Sequence, residues 1–413
     1  MKINGTQERW VKTVNGCTGC PHDYLIGNLY HRYRSEKSFF GYHPSVLKSG
    51  MQKYARRNEV EKGLWCLVEM DLFSLLEWDG AALDEYLSNY PEETRADTIT
   101  AAKRIRTNMV NRLVVMMSEE VGICAWWMPV KILELYQKWI ENRGHAFSRK
   151  YLVDMYLYLT SQKMARLISD IHSVYLVPPA YVKPRQMDEL ARIHQRIQMD
   201  YPELYARQAE VGRLPWSVNL PGCPQNVRQC LEGIIYNLEM GCDHAFFWIR
   251  RLFDLAPRPG RYLRMFWGLL QRFIDYNPRY ELARPAIGAL QALYSRMTHK
   301  EKPIYLYHAL LLMLRRNEID WNTQPPAIDT PVAEVECLYQ GHLQGGRMEM
   351  DEYIMDLHTR RMKWGPNSLE RFAREGAWVK NEDARLITPE YREIYIRLKQ
   401  ELDRYHAHGG RLL

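Results

Sequence analysis

Four metal-ligating side chains lie close together near the start of the sequence. Cys17 and Cys20 form a Cys-x-x-Cys turn, and His22 and His31 follow it in the run GCTGCPHDYLIGNLYH. Two thiolates at this spacing can bind one tetrahedral zinc ion, and a nearby imidazole can complete the ligand set. The spacing therefore predicts a structural zinc site, and the alternative is that these thiols carry no metal, because no second close Cys pair lies nearby.

A similar but more widely spaced group of potential metal ligands occurs in the second half of the chain, at Cys223, Cys230, Cys242 and His244. The chain has eight cysteines, and its opening residues, MKINGTQERW, lack the apolar stretch of a signal peptide. Scattered cysteines without a secretion signal favour free thiols. We therefore expect a reducing intracellular compartment, with no cofactor other than the possible zinc.

Basic side chains gather near the starts of two predicted helices, where backbone N–H groups also favour phosphate. We predict that they form a DNA-backbone surface made of Lys53, Arg56, Arg57, Arg104 and Arg106. The alternative is a solvated charged face with no partner. Arg112 lies among apolar neighbours, where an unpaired charge is costly, so we expect it to pair with Glu119 or Glu120.

Catalytic patterns are scarce. The sequence contains no G-x-S-x-G, H-E-x-x-H or zinc-deaminase pattern. Glu119 and Glu120 are adjacent on a predicted helix, so their carboxylates point about 100° apart and do not flank one substrate. His308 lies on the apolar face of YLYHALL, which is typical of a core histidine. We expect a protein that is not an enzyme; the alternative is an enzyme of unrecognised type centred on residues 356–365.

Secondary-structure elements must position these side chains. The spacing of hydrophobic residues along the sequence predicts that these elements are helices. Ile105, Met109, Leu113 and Met116 recur at three- and four-residue intervals, which is the period of one helix face. Similar patterns follow along most of the chain, while β-branched alternation is rare. We predict an all-α fold with multi-helical antiparallel packing, in which residues 59–78 and 100–118 are neighbours.

Two proline-rich stretches, at 177–184 and 320–331, predict linkers. They divide the chain into an irregular N-terminal segment (1–42), a helical domain (43–176), a second helical domain (185–319) and a C-terminal helical module (332–413). The longest apolar run, YLYHALLLML at 305–314, is shorter than the roughly 18 residues that a membrane span requires. We therefore expect no membrane contact.

Two runs of the first helical domain resemble a known family. In MQKYARRNEVEKGLWCL the resemblance rests on Lys53, Arg56, Gly63, Leu64 and Trp65. In NRLVVMMSEEVGIC it rests on Arg112, Leu113, Val114, Glu119, Glu120, Val121 and Gly122. In this order the two runs resemble the collar, the C-terminal helical region of clamp-loader-related AAA+ ATPases of the replication-restart (RarA/MgsA) type.

The resemblance covers about a fifth of the chain, and no GxxxxGK[ST] phosphate loop accompanies it. It implies a collar-like helical domain that assembles subunits near DNA, either with itself or with an ATPase-bearing replication partner. It does not imply an ATPase. A segment with Asp356, His358 and Thr359 is similar to one in uncharacterised proteins of large DNA viruses, which adds a viral protein, and a viral factory as its location, to the possibilities.

The charge balance permits nucleic acid as a partner. The chain has 413 residues with 56 Lys and Arg against 49 Asp and Glu, which gives a net charge of +7 and a pI near 8.8. We therefore predict a non-catalytic DNA replication or repair accessory protein that oligomerises through its collar-like domain. The alternative is a structural or scaffolding protein, viral or part of another assembly, whose aromatic side chains form protein interfaces.

Overall fold

The computed structural model describes residues 38–74, 77, 92–175, 192, 199–200, 222–255, 260–296, 302–355, 368–380 and 389–407. Over these residues the chain is helical and contains no strand, so the predicted all-α class is confirmed. Within the described part, no helix is long and apolar enough to cross a membrane.

Fourteen α-helices form the described part of the chain. The first seven are α1 Pro44–Arg57, α2 Val60–Asp71, α3 Glu92–Met116, α4 Met128–Glu141, α5 Ser148–Thr160, α6 Leu167–Val174 and α7 Gln225–Glu239. The others are α8 Ala245–Leu255, α9 Gly260–Tyr276, α10 Arg284–Tyr294, α11 Lys302–Leu314, α12 Val332–Gly345, α13 Ser368–Arg371 and α14 Pro389–Ala407. Short π- and 3₁₀-turns lie at Met117–Val121, Gly122–Ala125, Pro278–Ala283, Glu352–Ile354 and Phe372–Gly376.

The chain forms two compact units, and each is assembled from segments that are distant in sequence. The first takes its described residues from Met1–Met116, Glu134–Ser161 and Pro326–Trp364. The second takes them from Met117–Leu133, Gln162–Pro325 and Gly365–Leu413. The contiguous ranges 43–176, 185–319 and 332–413 are therefore not the units of the structure. Proline-rich segments mark where helices stop, and they carry no information about which helices then pack together.

In the first unit, α1, α2, α3 and α5 pack against one another around an apolar core. The predicted contact between the helix after residue 59 and the helix before residue 118 is confirmed, because α2 packs on α3. A sharp reversal joins α1 to α2. Asn58 caps α1 in the left-handed region at φ 58°, and its N–H donates to Ala55 O.

Gly63 allows α2 to approach α5 closely. A Cβ atom at this position would lie 1.5 Å from Tyr156 Oη, whose hydroxyl donates to Met51 O on α1 at 3.0 Å. Only a residue without a side chain leaves room for that phenol. Gly63 therefore sets the spacing of three helices.

In the second unit, α11 is a central helix that packs on α6, α8 and α10. Its core face includes His308, as predicted, and His308 Nδ1 lies 3.0 Å from Ser118 Oγ in the π-helical turn. The same turn orients Glu120, whose carboxylate accepts a hydrogen bond from Arg166 at 3.0 Å. A π-helical turn adds one residue to a helix, and it changes the direction of the side chains that follow.

We expect Gly63→Ala to destabilise the first unit, because the new methyl group would displace the Tyr156 hydroxyl from its site between α1 and α2. Overpacking of this kind costs about 1–3 kcal/mol. Gly341→Ala is the matched control, since Gly341 lies in α12 with no atom near its missing Cβ. There the higher helix propensity of Ala should raise stability slightly. Thermal unfolding of both variants tests this, and equal melting temperatures would contradict it.

Burial lowers the pKa of His308 to about 3, and burial together with Arg250 and Lys399 lowers that of His172 to about 4. Below pH 6.5 these imidazoles are protonated in the unfolded chain but stay neutral in the native protein. The free energy of unfolding therefore falls as the pH falls. We expect His308→Gln to reduce the loss of stability between pH 7 and pH 5 by about 2 kcal/mol. Urea unfolding at the two pH values measures this. The exposed His145, replaced by Gln, serves as control and should keep the full wild-type loss.

Candidate nucleic-acid interface

Three of the five side chains predicted to contact DNA are buried. Lys53, Arg56 and Arg106 lie in the core of the first unit, while Arg57 is half-buried and Arg104 is exposed. A phosphate-binding surface requires side chains that reach solvent. The prediction is therefore corrected for Lys53, Arg56 and Arg106, and charge reversal at these positions would unfold the unit rather than only weaken binding.

Arg106 is the centre of a buried polar network. Its side chain is 0% exposed and donates from Nε to Asp71 at 3.0 Å and from Nη1 to Glu77 at 2.7 Å. It also donates to the carbonyl of Arg143 and to Ser148 Oγ. The paired carboxylates raise the pKa of Arg106 against the effect of burial, so the guanidinium stays charged. Four segments of the first unit thus meet at one cation.

The network continues from the same carboxylate into α12. Asp71 Oδ2 accepts from Tyr339 Oη at 2.9 Å, and Glu69, two residues earlier in α2, accepts from His342 at 2.7 Å. The rings of Trp65 and His342 lie 4.6 Å apart and cover the second pair. These polar contacts attach α12 to α2.

Lys53 and Arg57 bind the segment that follows α12. Lys53 Nζ donates to the carbonyl of Tyr353 at 2.6 Å, and the Arg57 guanidinium lies 3.9 Å from the centre of the Tyr353 ring. Burial lowers the pKa of Arg57. Both cations therefore have structural partners in the first unit.

The carboxylate of Glu120 has a partner from another segment, since it accepts from Arg166. The ion pair that the sequence predicts between Arg112 and Glu119 or Glu120 stays a prediction. Arg166 has φ 54° and its N–H donates to the carbonyl of Glu120 at 3.1 Å. Both contacts depend on a turn 46 residues away in sequence, which helical spacing does not reveal.

The predicted zinc ligands Cys17, Cys20, His22 and His31 lie outside the described residues, as does the segment with Asp356, His358 and Thr359. Among the described residues, no group of three metal-ligating side chains converges. In the second half, Cys230 is buried within α7, whereas Cys242 and His244 contact each other at the start of α8. The zinc site stays a prediction.

The second unit carries a basic face on α9 to which the sequence pattern assigned no role. The buried side of this helix follows the helical period, with Leu263, Phe266, Trp267, Leu270, Phe273 and Ile274 in the core. Its opposite side is exposed and carries Arg264, Gly268, Arg272 and Tyr276 at four-residue intervals. These four residues, here called the α9 arginine face, form one row along the helix surface.

The arginines of this row are not neutralised by nearby acids. Neither Arg264 nor Arg272 has a carboxylate partner within the described ranges. Asp275 is the single acidic residue of α9, and its carboxylate accepts from Arg284 at 2.8 Å. Arg284 also pairs with Glu281. The acid that could have screened the α9 arginine face is therefore engaged by another cation.

The sequence around α9 is rich in arginine in particular. Between residues 222 and 296 it contains ten arginines, no lysine and six acidic residues. The planar guanidinium presents donors in a fork that fits phosphate oxygens, which the compact ammonium of lysine does not provide. A search for charge on the solvent side of each predicted helix would have found this face.

Comparison of the chain with family models, with curated protein sequences and with solved structures finds no match.

We expect Arg106→Met to destabilise the first unit by about 3–5 kcal/mol, because it leaves Asp71 and Glu77 buried without their cation. Arg104→Met is the matched control on the same helix; its side chain is exposed and the change should stay within about 0.5 kcal/mol. Urea unfolding of the two variants measures the difference. Similar losses in both would show that the network contributes little.

Proposed function

We propose that this chain binds nucleic-acid backbone through the α9 arginine face, as a non-catalytic accessory protein of DNA replication or repair. The single observation that supports this most strongly is the pair of exposed arginines, Arg264 and Arg272, without an acidic partner among the described residues. An uncompensated cationic surface attracts polyanions and releases their counterions on binding.

The spacing of the two arginines suits separate phosphates. Eight residues of α-helix span about 12 Å along the axis, which equals three to four nucleotide steps of one DNA strand. Gly268 lies between them and has no atom near its missing Cβ, so a strand can approach the helix backbone there. Each guanidinium then contacts its own phosphate.

Tyr276 extends the row with an aromatic ring. Its side chain is 66% exposed at the end of α9, where a ring of this kind offers a stacking surface for a nucleobase. A cationic row next to an exposed aromatic ring is the combination used by proteins that bind single strands without sequence preference. We therefore expect phosphate and base contacts on one helix.

The replication or repair context comes from the collar resemblance, whose residues lie mostly in the first unit and end in the second. Under this proposal the collar-like domain assembles the chain with further copies or with an ATPase-bearing partner. The all-helical fold and the packing of α1, α2 and α3 agree with such a domain. The second unit then supplies the contact with DNA.

A scaffolding role is the second candidate. Met240 and Leu282 are 64% and 60% exposed in the second unit, and large apolar side chains at the surface are common in protein interfaces. In that case the aromatic ring of Tyr276 contacts a protein rather than a base. Binding of nucleic acid distinguishes the two.

We expect the double change Arg264→Gln and Arg272→Gln to weaken binding of DNA of any sequence. The plot of log affinity against log salt concentration should become shallower by about 1.8 for duplex DNA, because each lost phosphate contact contributes about 0.9. Titration of single-stranded and duplex oligonucleotides over a range of salt concentrations measures this. Melting temperature should be almost unchanged, since exposed charges contribute little to stability.

The control is Arg371→Gln with Arg374→Gln, which lowers the net charge equally. Both arginines are exposed and already paired, with Glu375 and Glu370. If this control weakens binding as much as the α9 change, the loss follows from total charge. The assignment of the α9 arginine face as the binding site is then wrong. If the wild-type protein shows no salt-dependent binding of DNA, the scaffold role replaces the proposal.

A further inference from the structure

A thiol and an imidazole are in contact at the start of α8, on the second unit. Cys242 Sγ lies 2.8 Å from Nδ1 of His244. Cys242 is half-buried, so reagents in solution can reach the sulfur, whereas His244 is only 3% exposed. The imidazole is therefore held behind the thiol and shielded from water.

Direct contact between Cys242 Sγ and His244 Nδ1 allows the thiol proton to pass to the imidazole.

The residue between them is anchored by other elements. Asp243 Oδ2 accepts from Arg315 Nη2 at 2.5 Å and from Tyr391 Oη at 2.9 Å. These bonds fix the turn that carries the pair.

The turn also lies at the amino end of a helix. The carbonyl of Cys242 accepts from the N–H of Ala245, and that of Asp243 accepts from Phe246. The eleven residues of α8 follow directly. Reactive cysteines are common at the amino ends of helices.

We infer that Cys242 is a modification site, a nucleophilic thiol with His244 as its base, which undergoes exchange with low-molecular-weight disulfides of the glutathione class. The Cys242 sulfur attacks one sulfur of the disulfide and its proton moves to His244 Nδ1. The bond between the two sulfurs of the reagent breaks while the new mixed disulfide forms. The departing thiolate takes the proton from His244, so atoms and electrons balance.

The other cysteines provide internal comparisons. Cys66 and Cys230 are buried, and burial raises the pKa of both thiols, that of Cys230 to about 11. Cys337 is exposed on α12 and has no imidazole partner among the described residues. If exposure alone determined reactivity, Cys337 would react faster than the half-buried Cys242.

The first test uses the wild-type protein. The native chain is incubated with glutathione disulfide, and in parallel with iodoacetamide, and the modified fraction of each cysteine is followed by mass spectrometry. We expect Cys242 to react at least about tenfold faster than Cys337, since general-base assistance typically contributes more than that. Cys66 and Cys230 should stay unmodified, which confirms that the protein is folded. An equal or slower rate at Cys242 overturns the inference.

The second test removes the base. In His244→Asn the Cys242 rate should fall to that of Cys337, while the Cys337 rate stays unchanged. Cys242→Ser confirms the assignment of the modified peptide. An unchanged Cys242 rate in folded His244→Asn overturns the role of His244. If that variant unfolds, Cys66 and Cys230 become labelled, and the wild-type comparison then decides alone.

Discussion

A charge removed from water must meet an opposite charge or several hydrogen-bonding groups, and this constraint determines how the helices of each unit are joined. In the first unit Arg106 is buried because Asp71 and Glu77 reach it from other segments. In the second unit Arg166 plays the same part for Glu120. Apolar contacts tolerate small shifts of one helix along another, whereas a guanidinium held by directed hydrogen bonds does not. The buried cations therefore specify which helix positions face each other.

The same constraint explains what could be predicted from the sequence. The helical period identified α3 and α9 correctly, because their apolar residues recur on one face whatever they pack against. It did not predict the burial of Arg106, although Ala102, Met109 and Leu113 place that position on the apolar face. Residue type alone suggested that an arginine faces solvent. Its partners lie 29 and 35 residues away, and no local pattern connects them.

The candidate site was missed for a related reason. Helix α9 was predicted, and its solvent face follows from the position of its core residues. Arg264 and Arg272 share one row and have no carboxylate partner among the described residues. That depends on Arg284, which engages Asp275 from beyond the end of the helix. Local sequence shows which charges are present, but only the folded chain shows which of them remain uncompensated.

Residues that carry the collar resemblance have clear structural roles. Gly63 leaves room for the Tyr156 hydroxyl, and Gly122 has φ 56°, a conformation that side chains disfavour. Glu120 holds Arg166. These requirements concern helix spacing and the exit from α3. They account for the residue types at these positions without any contact with a nucleotide, a strand of DNA or a second subunit.

The attachment of α12 to α2 has a consequence for biosynthesis. His342 and Glu69 are separated by 273 residues, so the first unit lacks one of its helices until the ribosome has added that many residues after Glu69. At about 5–20 residues per second, this interval lasts about 14–55 s. During that time the carboxylates of Glu69 and Asp71 lack their partners on α12, His342 and Tyr339. The nascent first unit therefore exposes these carboxylates to solvent.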